Sequence, residues 1–184
     1  MSKSEHIREQ IQSKLPELEL IENQQYKTAV VDIWEEVFKE SGWENIDDVP
    51  KSGDVVEYSN LQHTRSVALQ AASCADIIEK VHDIKVDRDV LITAALLHDV
   101  SKFFEYHKDG SKTKYGKLMQ HGVLAAQKAQ EHGLPLEIQH MIITHTGLSR
   151  IMPQTVEALI LHYVDFLDSD VLLHVLNKPL FLKK

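Results

Sequence analysis

The chain is poor in cysteine: Cys74 is the only one among 184 residues. An intrachain disulfide and a cysteine-based zinc motif are therefore excluded, and we expect a reducing compartment. No apolar run approaches the about 20 residues that span a bilayer, and the first 20 residues carry charges where a signal peptide has an apolar core. We therefore expect a cytoplasmic protein with no membrane partner.

The chain also lacks an excess of basic residues. It has 20 Lys and Arg against 28 Asp and Glu, a net charge of -8. The imbalance lies in residues 1–60, which hold 14 acids and 6 bases, whereas residues 61–184 hold 14 of each. A stable complex with duplex nucleic acid usually needs a basic face, so the composition favours a small anionic substrate.

No segment shows a convincing strand pattern, and apolar spacing instead predicts helices over about 24–41, 60–82, 89–104 and 118–133, with two more opened by Pro135 and Pro153. The sequence therefore predicts an all-α fold. With 43% hydrophobic residues, its length suits one domain. We expect an N-terminal helical extension and linker over 1–57, the main domain over 58–176 and a tail over 177–184.

Histidines and aspartates recur at the predicted helices. His63 extends the apolar stripe of its helix, which continues through Val67, Ala71, Cys74, Ile78 and Val81. His98 and Asp99 come near the end of an almost wholly apolar helix, and His121 falls in the first turn of the helix over 118–133. His145 follows Ile142 at i+3, on the apolar face of its own helix.

Asp165 lies in the run ALILHYVDFL, residues 158–167, where a lone buried carboxylate would cost several kcal/mol. A divalent cation would compensate this charge. Imidazole and carboxylate ligands together suit Mn, Fe, Zn, Co or Ni. We expect two such metals, bridged by Asp99 and sharing a hydroxide. The first would take His63, His98, Asp99 and Asp165, and the second Asp99, His121 and His145.

The segments LQHTRSVA, ALLHDVSKF, QHGVLAA, ITHTG and LHYVDFLDSD resemble the successive motifs of the HD-domain superfamily of metal-dependent phosphohydrolases, over about residues 58–172. The resemblance implies a single HD-type helical bundle. It also implies the same ligands for the first metal, while His121 and His145 mark the dinuclear branch. The C-terminal half is similar to HD-domain 3′ to 5′ exoribonucleases and to small HDIG-type phosphohydrolases. Nothing before residue 60 resembles the exoribonucleases' nucleic-acid-binding barrel, which favours a smaller phosphoester.

Three basic residues are candidate substrate contacts. Lys102 lies at i+3 from Asp99, and we assign it a catalytic role at the phosphoryl oxygens beside Asp99, which would orient the nucleophile. Arg150 and Lys117 are further candidates for binding phosphate. The alternative interpretation is structural, because a lysine at a helix end also favours the helix dipole, and charged loops are commonly just solvated.

The resulting hypothesis is a metal-dependent phosphohydrolase that cleaves a phosphomonoester or phosphodiester, with a nucleotide as the favoured substrate. Two rivals remain open. The superfamily also includes mixed-valent di-iron oxygenases with the same ligands, and a catalytically idle nucleotide sensor would share the pattern. Each histidine taken alone could be a packed, hydrogen-bonded side chain. The oligomeric state is open as well, with a homodimer as one option.

Overall fold

The computed structural model describes residues 3–183. It is dominated by helices, which confirms the predicted helical domain. The α-helices of this part are α1 (Lys3–Lys14), α2 (Gln24–Ser41), α3 (Asn60–His82), α4 (Arg88–Leu97), α5 (Lys102–Glu105), α6 (Lys114–Leu118), α7 (Val123–Glu131), α8 (Leu136–Thr144) and α9 (Val156–Val175). Short 3₁₀ turns lie at Pro16–Leu20, Ile46–Asp48 and Phe181–Lys183. None of the described helices combines the length and apolarity needed to cross a membrane.

The expectation of no strand was wrong at one place. Strand β1 (Pro50–Ser52) pairs antiparallel with β2 (Val55–Ser59), and the register joins Pro50 to Ser59. A strand of three residues is too short to show an alternating pattern, so the sequence predicted only a linker there. The hairpin leads directly into α3, because the backbone N–H of Asn60 donates to the carbonyl of Val49.

The predicted bounds of α2 and α3 are confirmed, and local capping explains both. The side chain of Asn23 accepts from two backbone N–H groups at the start of α2, and Gly42 ends it at a φ of 76°. Ser59 and Gln62 form a capping box at the start of α3. The predicted apolar stripe of α3 was only partly right, since Val81 is 64% exposed.

Helix α4 is the centre of the core, as predicted, and every residue from Val90 to Leu97 is buried. It contacts α2, α3, α8 and α9. The prediction of one helix through Phe104 was wrong, because α4 ends at Leu97 and a turn separates it from α5. Two indoles of the N-terminal segment satisfy carbonyls here: Trp34 Nε1 donates to the Leu96 oxygen and Trp43 Nε1 to the Phe103 oxygen, both at 2.8 Å.

The segment before α7 also differs from the prediction. His121 was expected in the first turn of a helix, but the helix begins at Val123 and His121 lies outside it. Gly122 separates the two, with a φ of 84° that a side chain would strain. A Cβ on Gly122 would also lie 2.9 Å from the Ile142 carbonyl oxygen. This glycine therefore lets His121 approach the end of α8.

Candidate metal centre

The structure brings all six predicted ligands together. His63 projects from α3, Asp165 from α9, and His98 with Asp99 from the turn that ends α4. His121 precedes α7, and His145 caps the C-terminus of α8. All except His121 are buried, and His121 is only slightly exposed, with 14% of its side chain accessible. Ligands far apart in sequence thus meet because α3, α8 and α9 all pack on α4.

One group of ligands surrounds the Nε2 atom of His63. This atom lies 2.9 Å from Asp165 Oδ1, 3.3 Å from Asp99 Oδ2 and 3.3 Å from His98 Nε2. The other ring nitrogens are engaged outside the group. His63 Nδ1 lies 2.6 Å from Asp168 Oδ2, and His98 Nδ1 lies 2.7 Å from the Ala95 carbonyl oxygen. Both Nε2 atoms therefore face the same small space.

A second group shares Asp99 with the first. His121 Nε2 lies 2.7 Å from Asp99 Oδ1 and 3.1 Å from His145 Nε2. His121 Nδ1 contacts Glu105 Oε1 at 2.8 Å, and His145 Nδ1 contacts the Ile142 carbonyl oxygen at 2.6 Å. Within His63, His98 and Asp99, and likewise within Asp99, His121 and His145, one ligand atom from each residue lies within 4.8 Å of the others. Asp165 joins the first group through its Oδ1, which lies 3.9 Å from His98 Nε2. Asp99 offers an oxygen to both groups.

The donor set fits divalent cations. An acceptor at each Nδ1 favours the tautomer with a proton there, which leaves the Nε2 lone pair directed into the centre. Asp99 Oδ1 is buried and accepts no hydrogen bond of acceptable geometry from the described residues, although His121 Nε2 is close. Converging lone pairs and a carboxylate oxygen without a donor are the arrangement that a cation completes. The two groups are therefore able to hold metal ions.

In the absence of a cation, protons on the histidines would balance part of the carboxylate charge. Burial and the Lys51 ammonium oppose protonation of His63, but Asp165 and Asp168 outweigh them and raise its pKa to about 9. Burial similarly opposes protonation of His121, and Asp99 with Glu105 raises its pKa to about 9. His98 behaves oppositely, because burial lowers its pKa to about 3. Metal binding at these nitrogens would therefore release protons.

Lys102 lies beside the centre, as predicted. Its side chain is buried, its Nζ lies 3.3 Å from Asp99 Oδ2, and it donates to the Lys51 carbonyl oxygen at 2.6 Å. Burial would lower the pKa of Lys102, but the Asp99 carboxylate raises it above its ordinary value. Arg150 and Lys117 are exposed, and their side chains form no hydrogen bond or ion pair with a described residue. Within residues 3–183, no such contact ties these two side chains to the centre.

Sequence reasoning missed three residues that surround the ligands. Asp168 contacts His63, and its other oxygen accepts from Ser66 and Gln70. Glu105 orients His121 and accepts from Ser101 at 2.6 Å. Asp168 could have been found, because it follows Asp165 at i+3 on one helix face. The third, Lys51, gives no such pattern, because it lies in the hairpin outside the motifs. Its carbonyl accepts from Lys102, and its ammonium donates to Ser169, the neighbour of Asp168.

Comparison with known protein families agrees with these features. The chain belongs to the HD domain family, whose pattern matches residues 60–170, more than half of the sequence.

Three curated proteins illustrate its similarities. The chain is 35% identical over 115 residues to the dihydroneopterin 2′,3′-cyclic phosphate phosphodiesterase of Methanocaldococcus jannaschii, covering 60% of this chain and 46% of that protein. It is 37% identical over 98 residues to the 3′-5′ exoribonuclease YhaM of a Geobacillus species, covering 46% and 30%. The exoribonuclease YhaM of Bacillus pumilus is 31% identical over 119 residues, covering 56% and 38%. The chain thus spans less than half the length of these relatives, and no solved structure matches it.

Proposed function

We propose that this protein is a metal-dependent phosphohydrolase that cleaves a phosphodiester or phosphomonoester, with a nucleotide as the favoured substrate. The observation that carries the proposal is the sharing of Asp99 by two buried ligand groups. A bridging carboxylate between two sets of imidazoles is the arrangement of two-metal hydrolytic centres. Membership of the HD domain family and the similarity to a phosphodiesterase and to exoribonucleases support it.

The proposed centre holds two divalent transition metals, Mn, Fe, Zn, Co or Ni. The ligands proposed for the first are His63, His98, Asp99 and Asp165, and those for the second are Asp99, His121 and His145. When bound, two such cations supply a water molecule that ionises near neutral pH, and positive charge beside the phosphoryl oxygens. The bridging hydroxide predicted from the sequence belongs to this proposal.

The protein's own residues then orient and balance the centre. Asp168 and Glu105 fix the rings of His63 and His121 through their Nδ1 atoms. Lys102 holds a positive charge next to Asp99, where it would favour negative charge developing on a phosphoryl group. Arg150 and Lys117 stay proposed substrate contacts, since a phosphate could recruit exposed side chains.

The substrate proposal follows from charge and from the relatives. The chain has a net charge of -8, which disfavours a long nucleic acid duplex and suits a small phosphorylated molecule. One relative is named for a cyclic phosphate ester and another for RNA ends. A 2′,3′-cyclic nucleotide and a short oligonucleotide therefore belong in the first set of substrates. A homodimer, and the division into extension 1–57, domain 58–176 and tail 177–184, also remain proposals.

The test begins with elemental analysis of protein purified without chelator or metal-affinity resin. The protein carrying its own metal is then assayed anaerobically on cyclic, mono- and diester nucleotides, with Mn, Co, Ni, Zn and Fe added in turn. We expect about two metals per chain and turnover of at least one ester class. Protein with full metal content that is inert on every ester would contradict the proposal. Substrate-dependent oxygen uptake by an iron-loaded protein would favour the oxygenase, and tight nucleotide binding without turnover would favour the sensor.

A further inference from the structure

A buried lysine from the N-terminal hairpin reaches the metal centre. Lys51 lies in β1, before the first residue of the family match, and is only 6% exposed. Its Nζ donates to Ser169 Oγ on α9 at 2.6 Å. Burial and the Lys102 ammonium lower the pKa of Lys51, and the carboxylates of Asp165, Asp99 and Asp168 oppose this shift. Ser169 lies one helical turn after Asp165 on α9, so the Lys51 amine lies beside the ligand residues.

Lys51 differs from Lys102 in what it still has to offer. Lys102 is already paired, because Asp99 Oδ2 and the Lys51 carbonyl oxygen both contact its ammonium. The Lys51 ammonium donates one hydrogen bond, to Ser169, and no carboxylate of the described residues lies within ion-pair distance of it. Two of its three N–H groups therefore lack an acceptor in the described part of the chain.

A buried ammonium without a close anion is costly, because the lost hydration is not replaced by a direct contact. Natural proteins keep such a group where a ligand supplies the missing acceptor, and perturbed charges of this kind cluster at functional sites. The ligand must be anionic and must lie near Asp165 and Asp99. A phosphoryl group at the proposed metals satisfies both conditions.

We propose that Lys51 is a substrate-binding residue whose ammonium donates to a phosphoryl oxygen at the metal centre. The inference rests on the proposed function and extends it, because it makes the N-terminal hairpin part of the active site. Ser169 holds the amine in place, and the Lys51 carbonyl holds Lys102 beside Asp99. Lys51, which lies outside the family match, thus positions Lys102 through its carbonyl and also contributes its own ammonium.

The experiment measures binding of inorganic phosphate to the metal-loaded protein by calorimetry at constant ionic strength, for the wild type and Lys51→Met. Removing a charged hydrogen bond to phosphate should weaken binding by about ten- to a hundredfold. Metal content by elemental analysis should stay unchanged. The matched control is Lys178→Met, which removes a lysine that contacts Asp54 and Glu57 on the outer side of the same hairpin. The control should bind phosphate within about twofold of the wild type.

Two outcomes would overturn the inference. Lys51→Met could bind phosphate as tightly as the wild type, or it could lose metal, which would make Lys51 a counter-charge for Asp165. If the variant does not fold, a crystal structure of the wild type with metal and phosphate decides the matter. We expect a phosphate oxygen within hydrogen-bond distance of Lys51 Nζ, and phosphate seated without that contact contradicts us. Phosphate binding needs no turnover, so a wild type that binds phosphate through Lys51 yet hydrolyses no ester refutes the proposed function alone.

Discussion

The two halves of the centre are built differently. The first half takes His63 and Asp165 from within the long helices α3 and α9, and His98 from the end of the buried helix α4. The second half takes His121 and His145 from positions just outside α7 and α8. His63 and His98 have fully buried side chains, whereas His121 is partly exposed. The first half is therefore held by continuous helices, and the second by helix ends and a glycine-containing turn.

The surrounding contacts follow the same division. Asp168, which orients His63, accepts two further side-chain hydrogen bonds from α3. Glu105, which orients His121, belongs to the four-residue helix α5 and has Ser101 as its further partner. Preorganised ligands bind a cation without an ordering cost. We therefore expect tighter binding and slower exchange of metal in the first half than in the second.

The largest effect is expected where the halves join. Asp99→Asn keeps the side-chain volume but removes the negative charge that both ligand groups share. We expect loss of metal from both halves and a fall in kcat/KM of at least about 1000-fold. Elemental analysis and ester hydrolysis measure the two effects. Asp83→Asn, at an exposed position after α3, is the control, and retention of two metals by Asp99→Asn would show that this residue is no bridge.

Matched histidine variants test whether the first half binds metal more tightly than the second. His121→Gln should retain one metal through dialysis against a weak chelator, because the first half is intact. His63→Gln disrupts the first half, and the metal left in the more weakly binding second half should be lost under the same conditions. Both variants should lower kcat/KM by more than about 100-fold, which is the largest loss expected when a residue that only orients a metal ligand is replaced. His174→Gln, an exposed position on α9, is the control. If His63→Gln keeps its metal longer than His121→Gln, the ranking of the halves is wrong.

The smallest effect concerns the anchoring of α7, the helix that follows His121. Glu36 on α2 accepts from Lys128 and from His132 Nε2, the latter at 2.7 Å. These contacts lower the pKa of Glu36 below its ordinary value of 4.5. Its contribution to stability is therefore present above that pH and is lost as the pH falls through the lowered pKa.

Glu36→Gln should accordingly reduce the free energy of unfolding at pH 7 by about 1 kcal/mol or less, since the pair is partly exposed. The difference from the wild type should shrink in acid, as measured by denaturant unfolding from pH 7 to pH 3. Glu9→Gln, exposed on α1, provides the control. A difference that persists unchanged at pH 3 would mean that the carboxylate charge is not its cause.

Sequence patterns predicted what local chemistry determines. Capping at Asn23 and Ser59 fixes the starts of α2 and α3, so both bounds could be read from the residues. The six candidate ligand positions were predicted from histidines and aspartates placed near apolar helical positions, and from the resemblance of their segments to the motifs of the HD-domain superfamily. The end of α4 was not predicted, because Val100, Phe103 and Phe104 continue the helical apolar spacing across a turn that Trp34 and Trp43 stabilise from another segment.

Tertiary contacts account for the other misses. The role of Lys51 depends on a hairpin that carries it to Ser169, 118 positions further along the chain. Glu105 becomes important only because the chain returns to place His121 against it. Val81 was misjudged because tertiary cover is missing rather than present. Helix α3 extends beyond the helices that cover its first turns, so Val81 is exposed. Spacing along one helix contains none of this information.

The two indole hydrogen bonds have a practical consequence for anyone who shortens the chain. A polypeptide trimmed to begin at residue 60 would leave the carbonyls of Leu96 and Phe103 without their donors, on either side of the His98–Asp99 pair. Each orphaned carbonyl costs about 1–3 kcal/mol where it stays dry, and water entering to relieve it would reach the metal ligands. Trimming to the shared family segment should therefore yield a protein that binds metal poorly, even if its remaining helices assemble.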